Sequence, residues 1–365
     1  MRVNRAVPAG FYPPPFADEP VHVKQLTQLL RDRGLMVEIL NLKRRAHPSS
    51  EYHSSTGRGA LLGKLFTAAD RAAILHFHTN GHNRKSWLLI LVASLAGRLR
   101  GAPTVLTLHS GLLPGYAAGF GRIAQGLARW IRGSFARIVC VNGEIRRVIE
   151  RLGVTRDYIA VIPAFLGVPQ SAELAPPDRE IIKDFRPLLV VVAGGEEDPE
   201  RGPIVQQLVT LIPDRGVVLM GWEVGPKTRP LIDELGLARR AVCLGEISQD
   251  RCLAFIRAGD VVVRSTFADG DAITVREALA FGVAVVASDT DFRPEGVTFF
   301  RKGDVADLVA KLKQVLSAPR AGCSAPLAIH DQPARDLWQL YSEPASPGAD
   351  APQLLRPPRR PAASR

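Results

Sequence analysis

The sequence predicts an α/β protein with two parallel sheets, each covered by helices, that face each other across a cleft. Three observations predict this fold class. Short apolar segments alternate with helical segments, the alternation occurs twice, and a Pro-rich segment without periodicity separates the two series. The 365 residues, of which 46% are hydrophobic and 23% charged, are enough for about two domains with their own cores.

The first series occupies residues 1–168 and predicts an N-terminal Rossmann-like domain. Its first strand is weak, because Val3, Ala6 and Val7 alternate poorly before a run of prolines. A polar loop is predicted at residues 47–55. Further strands are predicted at residues 36–42, 73–78, 104–109, 138–141 and 158–162, and helices at residues 21–33, from residue 86 and from residue 120. This spacing indicates a parallel sheet with helices on both faces.

The second series predicts a C-terminal Rossmann-like domain at residues 188–320, after a Pro-rich linker at 169–187. Its strands are predicted at residues 188–193, 217–220, 241–244, 260–263 and 283–287, and its last amphipathic helix at residues 304–316. Residues 321–342 are expected to contain a terminal helix near 334–341. Residues 343–365 are rich in Pro, Ala and Arg, and we expect them to be disordered.

The composition indicates a cytoplasmic protein. The cysteines Cys140, Cys243, Cys252 and Cys323 are far apart and have no metal-ligand spacing, which is typical of reduced thiols. Prolines interrupt the N-terminal apolar residues before a signal peptide could form, and the most apolar run is shorter than the roughly 20 residues that span a bilayer. The net charge of +11 comes largely from two Arg-rich segments, and the sequence shows no interleaving of aromatic residues with base-reading side chains, so nucleic acid is not an expected partner.

The segment from Arg264 to Asp289 carries the main functional signal. It predicts the end of a buried strand, a Gly/Asp turn, a short helix around Glu277 and a second apolar strand. In open parallel sheets such a turn faces the crevice where phosphates bind at helix N-termini. A structural alternative is a capping box, because Thr274 and Glu277 fit the S/T-x-x-E pattern.

Two motifs resemble the GT-B nucleotide-sugar glycosyltransferases of family 4 type. They are D-G-D-A-I-T-V-R-E-A-L-A-F-G-V-A-V-V-A-S-D in the second half and T-L-H-S-G in the first half. The family has an acid, seven intervening residues and a Glu at this place, which here are Asp269 and Glu277. Asp269 departs from the usual Glu, and the resemblance covers about residues 10–320.

The resemblance implies the donor site. His109 and Asp269 are the implied catalytic residues, and Glu277 is implied to bind the ribose. The remaining implied donor-binding residues are Arg201, Gly245, Glu246, Gly270, Asp271, Ala272, Ile273 and Thr274. Arg264 or Lys227 is a candidate for the second cation at the diphosphate, and the resemblance fixes neither of them. The loop at residues 194–202, where the family carries two cations, is acidic in this chain and offers only Arg201. Asp269 and Asp271 as ordinary turn residues remain an alternative.

The acceptor side is expected in the first half, near His78, Asn80 and His82, although these residues could equally serve packing. The family's glycine pair after the first strand is replaced here by residues 17–19, Ala-Asp-Glu. His76 and His78 share one face of a strand and could bind a metal ion, but the sequence shows no third ligand. The resemblance implies that no metal is required, and no cofactor is predicted.

The segment from Phe120 to Phe135 supports two interpretations. Its apolar residues fall on one helical face and its arginines on the other, which suits the surface of an anionic membrane. The alternative is an ordinary helix packed on the sheet.

The prediction is a retaining, metal-independent hexosyltransferase that moves a sugar from a nucleotide-sugar donor to a glycan or lipid-linked acceptor. We place it in polysaccharide or glycoconjugate synthesis, in the cytoplasm or at the inner face of the membrane. Two alternatives stay open. One is a nucleotide-sugar epimerase of the same fold, and the other is a non-catalytic nucleotide-sugar-binding partner in a glycan assembly complex.

Overall fold

The computed structural model describes most of both predicted domains. The described residues are 4–43, 46, 49–54, 60–69, 73–119, 126, 130–131, 133–167, 172–185, 187–192, 216–220, 228–234, 236, 239–290, 292–317 and 332–342. The predicted disordered tail at 343–365 lies outside them. Among the described residues, no helix combines the length and the apolar character needed to cross a membrane.

The first domain contains a parallel sheet of eight described strands. They are β1 (Arg5–Gly10), β2 (Met36–Val37), β3 (Leu40–Asn41), β4 (His53–Ser54), β5 (Ala73–Thr79), β6 (Thr104–Leu108), β7 (Arg137–Cys140) and β8 (Ile159–Val161). The order is β4-β3-β1-β5-β6-β7-β8, with β2 also paired to β1. The weak first strand is therefore a central one. The strand expected at residues 36–42 is two short strands.

Helices connect these strands. They are α1 (Asp18–Asp32), α2 (Ala60–Ala68), α3 (Arg84–Arg100), α4 (Leu113–Ala117) and α5 (Gly143–Arg151). The sequence did not indicate α2. Asn83 is the N-cap of α3, and its side chain accepts a hydrogen bond from the Ser86 N–H. Gly101, with φ +68°, is the C-cap. Both caps are the residue types preferred for these positions, so local chemistry sets the bounds of α3.

The predicted linker contains a helix, α6 (Pro176–Ile182). Its prolines stand at the first helical positions, where the missing N–H costs nothing, so they start a helix here. Leu174, Ile182 and Phe185 are buried in the core of the second domain. The prediction of an aperiodic linker was wrong for this part of the segment.

The second domain contains a six-stranded parallel sheet. Its strands are β9 (Leu188–Val192), β10 (Gly216–Met220), β11 (Ala241–Gly245), β12 (Val261–Arg264), β13 (Ala284–Ser288) and β14 (Val297–Phe300), in the order β11-β10-β9-β12-β13-β14. The described helices between them are α7 (Thr228–Glu234), α8 (Gln249–Ala258) and α9 (Ile273–Ala280). Central strand β9 is apolar and wholly buried, as expected for a sheet covered on both faces. The predicted fold class is confirmed.

The last two described helices belong to different domains. Helix α10 (Val305–Ser317) packs on the second sheet through Leu308 and Leu312. Helix α11 (Gln332–Ser342), predicted as a terminal helix, packs on the first domain, where Leu337 and Tyr341 are buried in a cluster with residues of α1 and the sheet. The chain thus returns to its first domain.

Candidate functional site

The loop at residues 265–272, between β12 and α9, lies at the carboxyl edge of the second sheet. Strand β9 pairs with β10 on one side and β12 on the other, so the chain changes direction across the sheet at this point. Ligands of open α/β sheets bind in the crevice beside such a switch point. The sequence placed the candidate donor residues in this loop.

Two glycines bring this loop against the first domain. A Cβ added to Gly270 would lie 1.5 Å from the backbone oxygen of His109, and one added to Gly111 would lie 2.2 Å from the backbone oxygen of Asp269. No larger residue fits either position without separating the two backbones. The candidate donor loop therefore lies directly against the end of β6.

Polar side chains also join the two domains. The Asn142 amide donates to the Gly270 carbonyl, and the Ala164 N–H donates to Asp271 Oδ2 at 2.8 Å. Arg276 pairs with the other oxygen of Asp271 at 2.5 Å. Burial raises the pKa of Asp271, although Arg276 and the backbone donors oppose the rise. Asp271 thus ties the two domains together, which its turn position in the sequence did not indicate.

Asp269 lies in a buried ion network. Its carboxylate accepts from Arg264 Nη2 at 2.7 Å, from Arg293 Nη1 and from the Thr266 hydroxyl. The Asp269 side chain is only 5% exposed and that of Arg293 only 1%. Burial alone would raise the pKa of Asp269, but Arg264 and Arg293 hold it below its usual value. The carboxylate is already occupied by two cations.

Arg293 is a residue that sequence reasoning missed. Its guanidinium donates to Asp269, to the Thr266 hydroxyl at 2.8 Å and to Ser288. Arg293 follows β13, and no sequence motif with a fixed spacing marks it as a site residue.

The N-terminus of α9 differs from the capping-box alternative. The helix begins at Ile273 with Ala272 as N-cap, and no side chain caps it locally. Thr274 lies inside the first turn, and its hydroxyl has no hydrogen-bond partner among the described residues. The Ile273 N–H instead donates to Asp18 Oδ1, at 3.3 Å, from helix α1. The capping box is therefore wrong.

Asp18 occupies the position where an anion would be expected. Besides the Ile273 N–H, its carboxylate lies 3.4 Å from Arg264 Nη2. Burial raises the pKa of Asp18 to about 6, and the nearby Asp269 and Asp271 add to the rise, whereas Arg264 and the Ile273 N–H oppose it. A backbone N–H at a helix start together with an Arg is the usual environment of a phosphate.

Glu277 is buried one turn further along α9, with 2% of its surface exposed. Its described hydrogen bond is a long one, 3.4 Å, from Gln249 Nε2 of α8. Burial raises the pKa of Glu277 to about 7. A buried carboxyl group with so little compensation is typical of a binding site, because a purely structural acid is normally paired.

Across the loop from these groups lies a cluster of buried histidines. His78 in β5 and His109 after β6 approach each other, with His78 Nδ1 3.2 Å from His109 Nε2. His22 from α1 packs on both rings. His76 stacks on His78, and its two nitrogens are bonded to the hydroxyls of Tyr341 and Thr107.

This cluster corrects the sequence expectation for His76 and His78. His76 is taken up by structural hydrogen bonds, whereas His22, His78 and His109 bring one possible ligand atom each to within 4.8 Å of one another. The sequence showed no third ligand because His22 is far away along the chain and comes from a helix. Tertiary structure alone brings it to the sheet.

The remaining acceptor-side residues lie at the same edge of the first sheet. Asn80 is half-buried and follows β5. His82 is also half-buried, and its Nδ1 lies 2.9 Å from the Ser110 hydroxyl. In the first turn of α1, Glu19 is buried and accepts from the Phe11 N–H at 3.1 Å, and burial raises its pKa to about 7. Polar groups therefore line the carboxyl ends of β5 and β6.

The other predicted residues lie at the periphery or outside the described chain. Gly245 ends β11 with φ +68°, and Glu246 beside it is exposed. Arg201 and the acidic loop lie outside the described residues. So does most of the segment at 120–135. At its described end Ile131 and Phe135 are buried in the first core, as in an ordinary packed helix.

Comparisons with known proteins agree with this geometry. Residues 20–166 match the family model described as Glycosyltransferase Family 4, and residues 203–318 match the one described as Glycosyl transferases group 1. A search of the curated proteins finds no match.

Solved structures of similar fold cover nearly the whole chain. Anabaena HepE in complex with UDP and glucose has 15% identity and a TM-score of 0.66, covering 93% of this chain and 95% of its own. Sucrose-phosphate synthase from Thermosynechococcus elongatus has 16% identity and a TM-score of 0.62, with the same coverage. A UDP-N-acetylglucosamine 2-epimerase from Listeria monocytogenes, described as putative in that structure, has 15% identity and a TM-score of 0.60, covering 93% and 96%. At these identities the similarity establishes a shared fold.

Proposed function

We propose that this chain, which belongs to the glycosyltransferases of the GT-B fold, moves a hexose from a nucleotide-sugar donor to a glycan or lipid-linked acceptor with retention of configuration. The observation that carries the proposal is the buried, weakly compensated Glu277, one turn inside a helix that begins at the switch point of the second sheet. A carboxylate there can accept hydrogen bonds from both hydroxyls of a ribose.

The diphosphate is proposed to bind at the start of α9. It would accept from the Ile273 N–H and pair with Arg264, the two groups that now contact Asp18. The donor must therefore displace the Asp18 carboxylate. Arg201 would supply a further cation, and Gly245 and Glu246 would border the base. HepE, a protein of similar fold, binds UDP and glucose in its crystal structure, which supports a nucleotide-sugar donor.

His109 and Asp269 are proposed to place the donor sugar. His109 lies at the backbone contact between the domains, and its ring is beside the crevice floor. Asp269 holds Arg264 and Arg293 in place, so its carboxylate can reach a sugar hydroxyl only by exchanging one of these partners. In this proposal the main role of Asp269 is to hold the guanidinium groups of Arg264 and Arg293 in position.

Stabilisation of the departing diphosphate is the main catalytic effect in this proposal. The helix N-terminus and the Arg264 guanidinium face the charge that develops on the leaving oxygen, in a site that excludes most water. These groups would replace a metal ion at the diphosphate.

The acceptor is proposed to enter from the first domain, past Asn80 and His82. An acceptor carried on a lipid would place the protein at the inner face of the membrane, with the arginines of the segment at 120–135 toward anionic headgroups. This would suit the synthesis of a cell-surface polysaccharide or glycoconjugate.

Thermal stabilisation by a panel of nucleoside diphosphates and their sugars tests the donor site. A ligand at about one hundred times its Kd adds about 2.7 kcal/mol of stability. At least one nucleotide should raise the melting temperature of the wild-type chain, and the same nucleotide concentration should raise that of a Glu277→Gln variant by clearly less. If no nucleotide shifts the wild-type chain, the proposal is wrong.

Two other functions share this crevice. A nucleotide-sugar epimerase would convert the donor without any acceptor, so product analysis in the absence of acceptor separates it from a transferase. A non-catalytic binding partner is favoured by one observation, the Asp18 carboxylate at the expected diphosphate position. It would bind the donor and release no nucleotide with any acceptor.

A further inference from the structure

Three histidines from three separate elements meet at the floor of the crevice. His22 comes from α1, His78 from β5 and His109 from the residue after β6. Each is buried, and one nitrogen of each lies within 4.8 Å of the others. The sequence separations are large, so the fold brings them together.

The hydrogen bond of His22 leaves one of its nitrogens without a partner. Its Nδ1 lies 2.7 Å from the Ala164 carbonyl oxygen, which can only accept, so Nδ1 carries the proton. Nε2 is then a bare lone pair, and it is buried without a hydrogen-bond partner among the described residues. A backbone carbonyl that fixes the far nitrogen is the arrangement found at metal-binding histidines.

The distance between the other two rings also fits a metal ion. His78 Nδ1 and His109 Nε2 are 3.2 Å apart. Two nitrogen ligands on a tetrahedral ion with bonds of 2.0–2.1 Å stand about 3.3 Å apart. These two atoms thus have the separation of ligands on one zinc ion.

The neighbouring His76 does not belong to the set. Its Nδ1 lies 2.5 Å from the Tyr341 hydroxyl and its Nε2 lies 2.6 Å from the Thr107 hydroxyl, so both nitrogens are in use. The stacking of His76 on His78 holds the latter ring in position. The three remaining rings offer neutral nitrogens, because burial lowers the pKa of each of them.

We propose that His22, His78 and His109 bind one Zn²⁺ ion with a fourth position left open toward the crevice. Imidazole is a ligand that suits zinc, and three histidines with an open position form a known zinc arrangement. The ion would fix α1 to the ends of β5 and β6. It would also hold Nε2 of His109.

Equilibrium dialysis of the metal-stripped full-length chain against Zn²⁺, with elemental analysis, tests the site. The wild-type chain should retain about one zinc ion. Replacing a ligand should weaken binding by about a hundredfold or more, since loss of an outer-shell partner alone costs 10–100-fold. His22→Ala should therefore lose the ion. His53→Ala, which alters an exposed histidine on edge strand β4, should retain it.

A second measurement uses only the wild-type chain and does not depend on the folding of a variant. Co²⁺ bound at the site should give the intense visible absorption of a four-coordinate ion, and one equivalent of Zn²⁺ should abolish it. The proposal is overturned if Co²⁺ gives only the weak spectrum of a six-coordinate ion. It is equally overturned if wild-type and His22→Ala chains bind zinc with the same affinity. Neither readout requires sugar transfer.

Discussion

The two walls of the crevice bury polar groups in opposite ways. On the wall of the first domain, burial favours the neutral forms of His78 and His109, and Nε2 of His22 and of His78 have no hydrogen-bond partner among the described residues. On the wall of the second domain, Asp269 is charged and bound by both Arg264 and Arg293. The first wall has unused hydrogen-bonding capacity, whereas the second combines this saturated ion network with the weakly bonded Glu277.

The difference separates groups that hold the site together from groups that can receive a ligand. A buried ion pair is rigid, and removing one partner leaves an uncompensated charge. A buried neutral nitrogen or a weakly bonded carboxyl group tolerates a new partner. By this criterion Asp269 is an anchor, while Glu277 and the histidines are receptors.

The largest expected effect follows from breaking the anchor. Asp269→Asn removes the charge that Arg264 and Arg293 share and leaves Arg264 only the more distant Asp18 at 3.4 Å. Breaking a buried pair in this way typically destabilises a protein by about 3–5 kcal/mol. Urea unfolding followed by fluorescence would measure it. The control Asp304→Asn breaks an exposed pair with Arg301 and should change stability by at most about 1 kcal/mol. Equal midpoints for the two variants would contradict the role of Asp269 as an anchor.

The next effect concerns Glu277 on helix α9. Glu277→Gln keeps the size of the side chain and removes the charge that would accept ribose hydroxyls. Charged hydrogen bonds contribute about 1.5–3 kcal/mol, so nucleotide affinity should fall roughly 10–100-fold. Calorimetry with the nucleotide that stabilises the wild-type chain would measure it. Glu180→Gln, at an exposed position, should bind normally, and a normal affinity for Glu277→Gln would remove Glu277 from the site.

A smaller effect, of opposite sign, is expected at Asp18. Asp18→Asn removes a negative charge from the proposed diphosphate position, while the amide oxygen can still accept from the Ile273 N–H. Nucleotide diphosphate should bind about tenfold more tightly, which corresponds to about 1.4 kcal/mol of relieved repulsion. The matched control is Asp32→Asn at the exposed other end of α1. Weaker binding by the Asp18 variant would exclude displacement of this carboxylate.

The smallest effect is a pH dependence. Burial raises the pKa of Glu277 to about 7, and the groups that face it are Gln249, Cys252 and Asp18. The protonated acid accepts hydrogen bonds poorly, so nucleotide affinity should rise as the pH increases from 6 to 8 and level off above. Ionisation of Asp18, with a pKa of about 6, acts in the opposite direction at lower pH.

Titrations of nucleotide affinity in wild-type and Glu277→Gln chains separate the two groups. The variant should lose the rise near pH 7 and keep the decrease near pH 6 that Asp18 causes. A wild-type affinity that is constant between pH 6 and 8 would show that Glu277 is already ionised across this range.

Much of the fold could be predicted because it depends on local pattern. The apolar runs of β5, β9 and β13 and the caps of α3 are properties of neighbouring residues. Strand β1 was underestimated, because its burial comes from pairing with β5 and β3, which adjacent residues do not reveal.

The site was predictable only in part, for the same reason. The spacing of Asp269 and Glu277 and the position of His109 at a strand end are visible in the sequence. The partners of these residues are not. Arg264 meets Asp18 across 246 positions, and His22 meets Ala164 across 142.

The sequence alone determined that this protein has two parallel-sheet domains and carries acids and a histidine at the strand ends that face each other. Hydrophobic periodicity and turn chemistry act within a few residues, so they can be read directly from the chain. Only the tertiary structure decided which of those groups are saturated and which are available. Charge compensation depends on groups that packing brings within hydrogen-bond distance, and helix α1 supplies both Asp18 and His22 to the crevice from the far end of the chain.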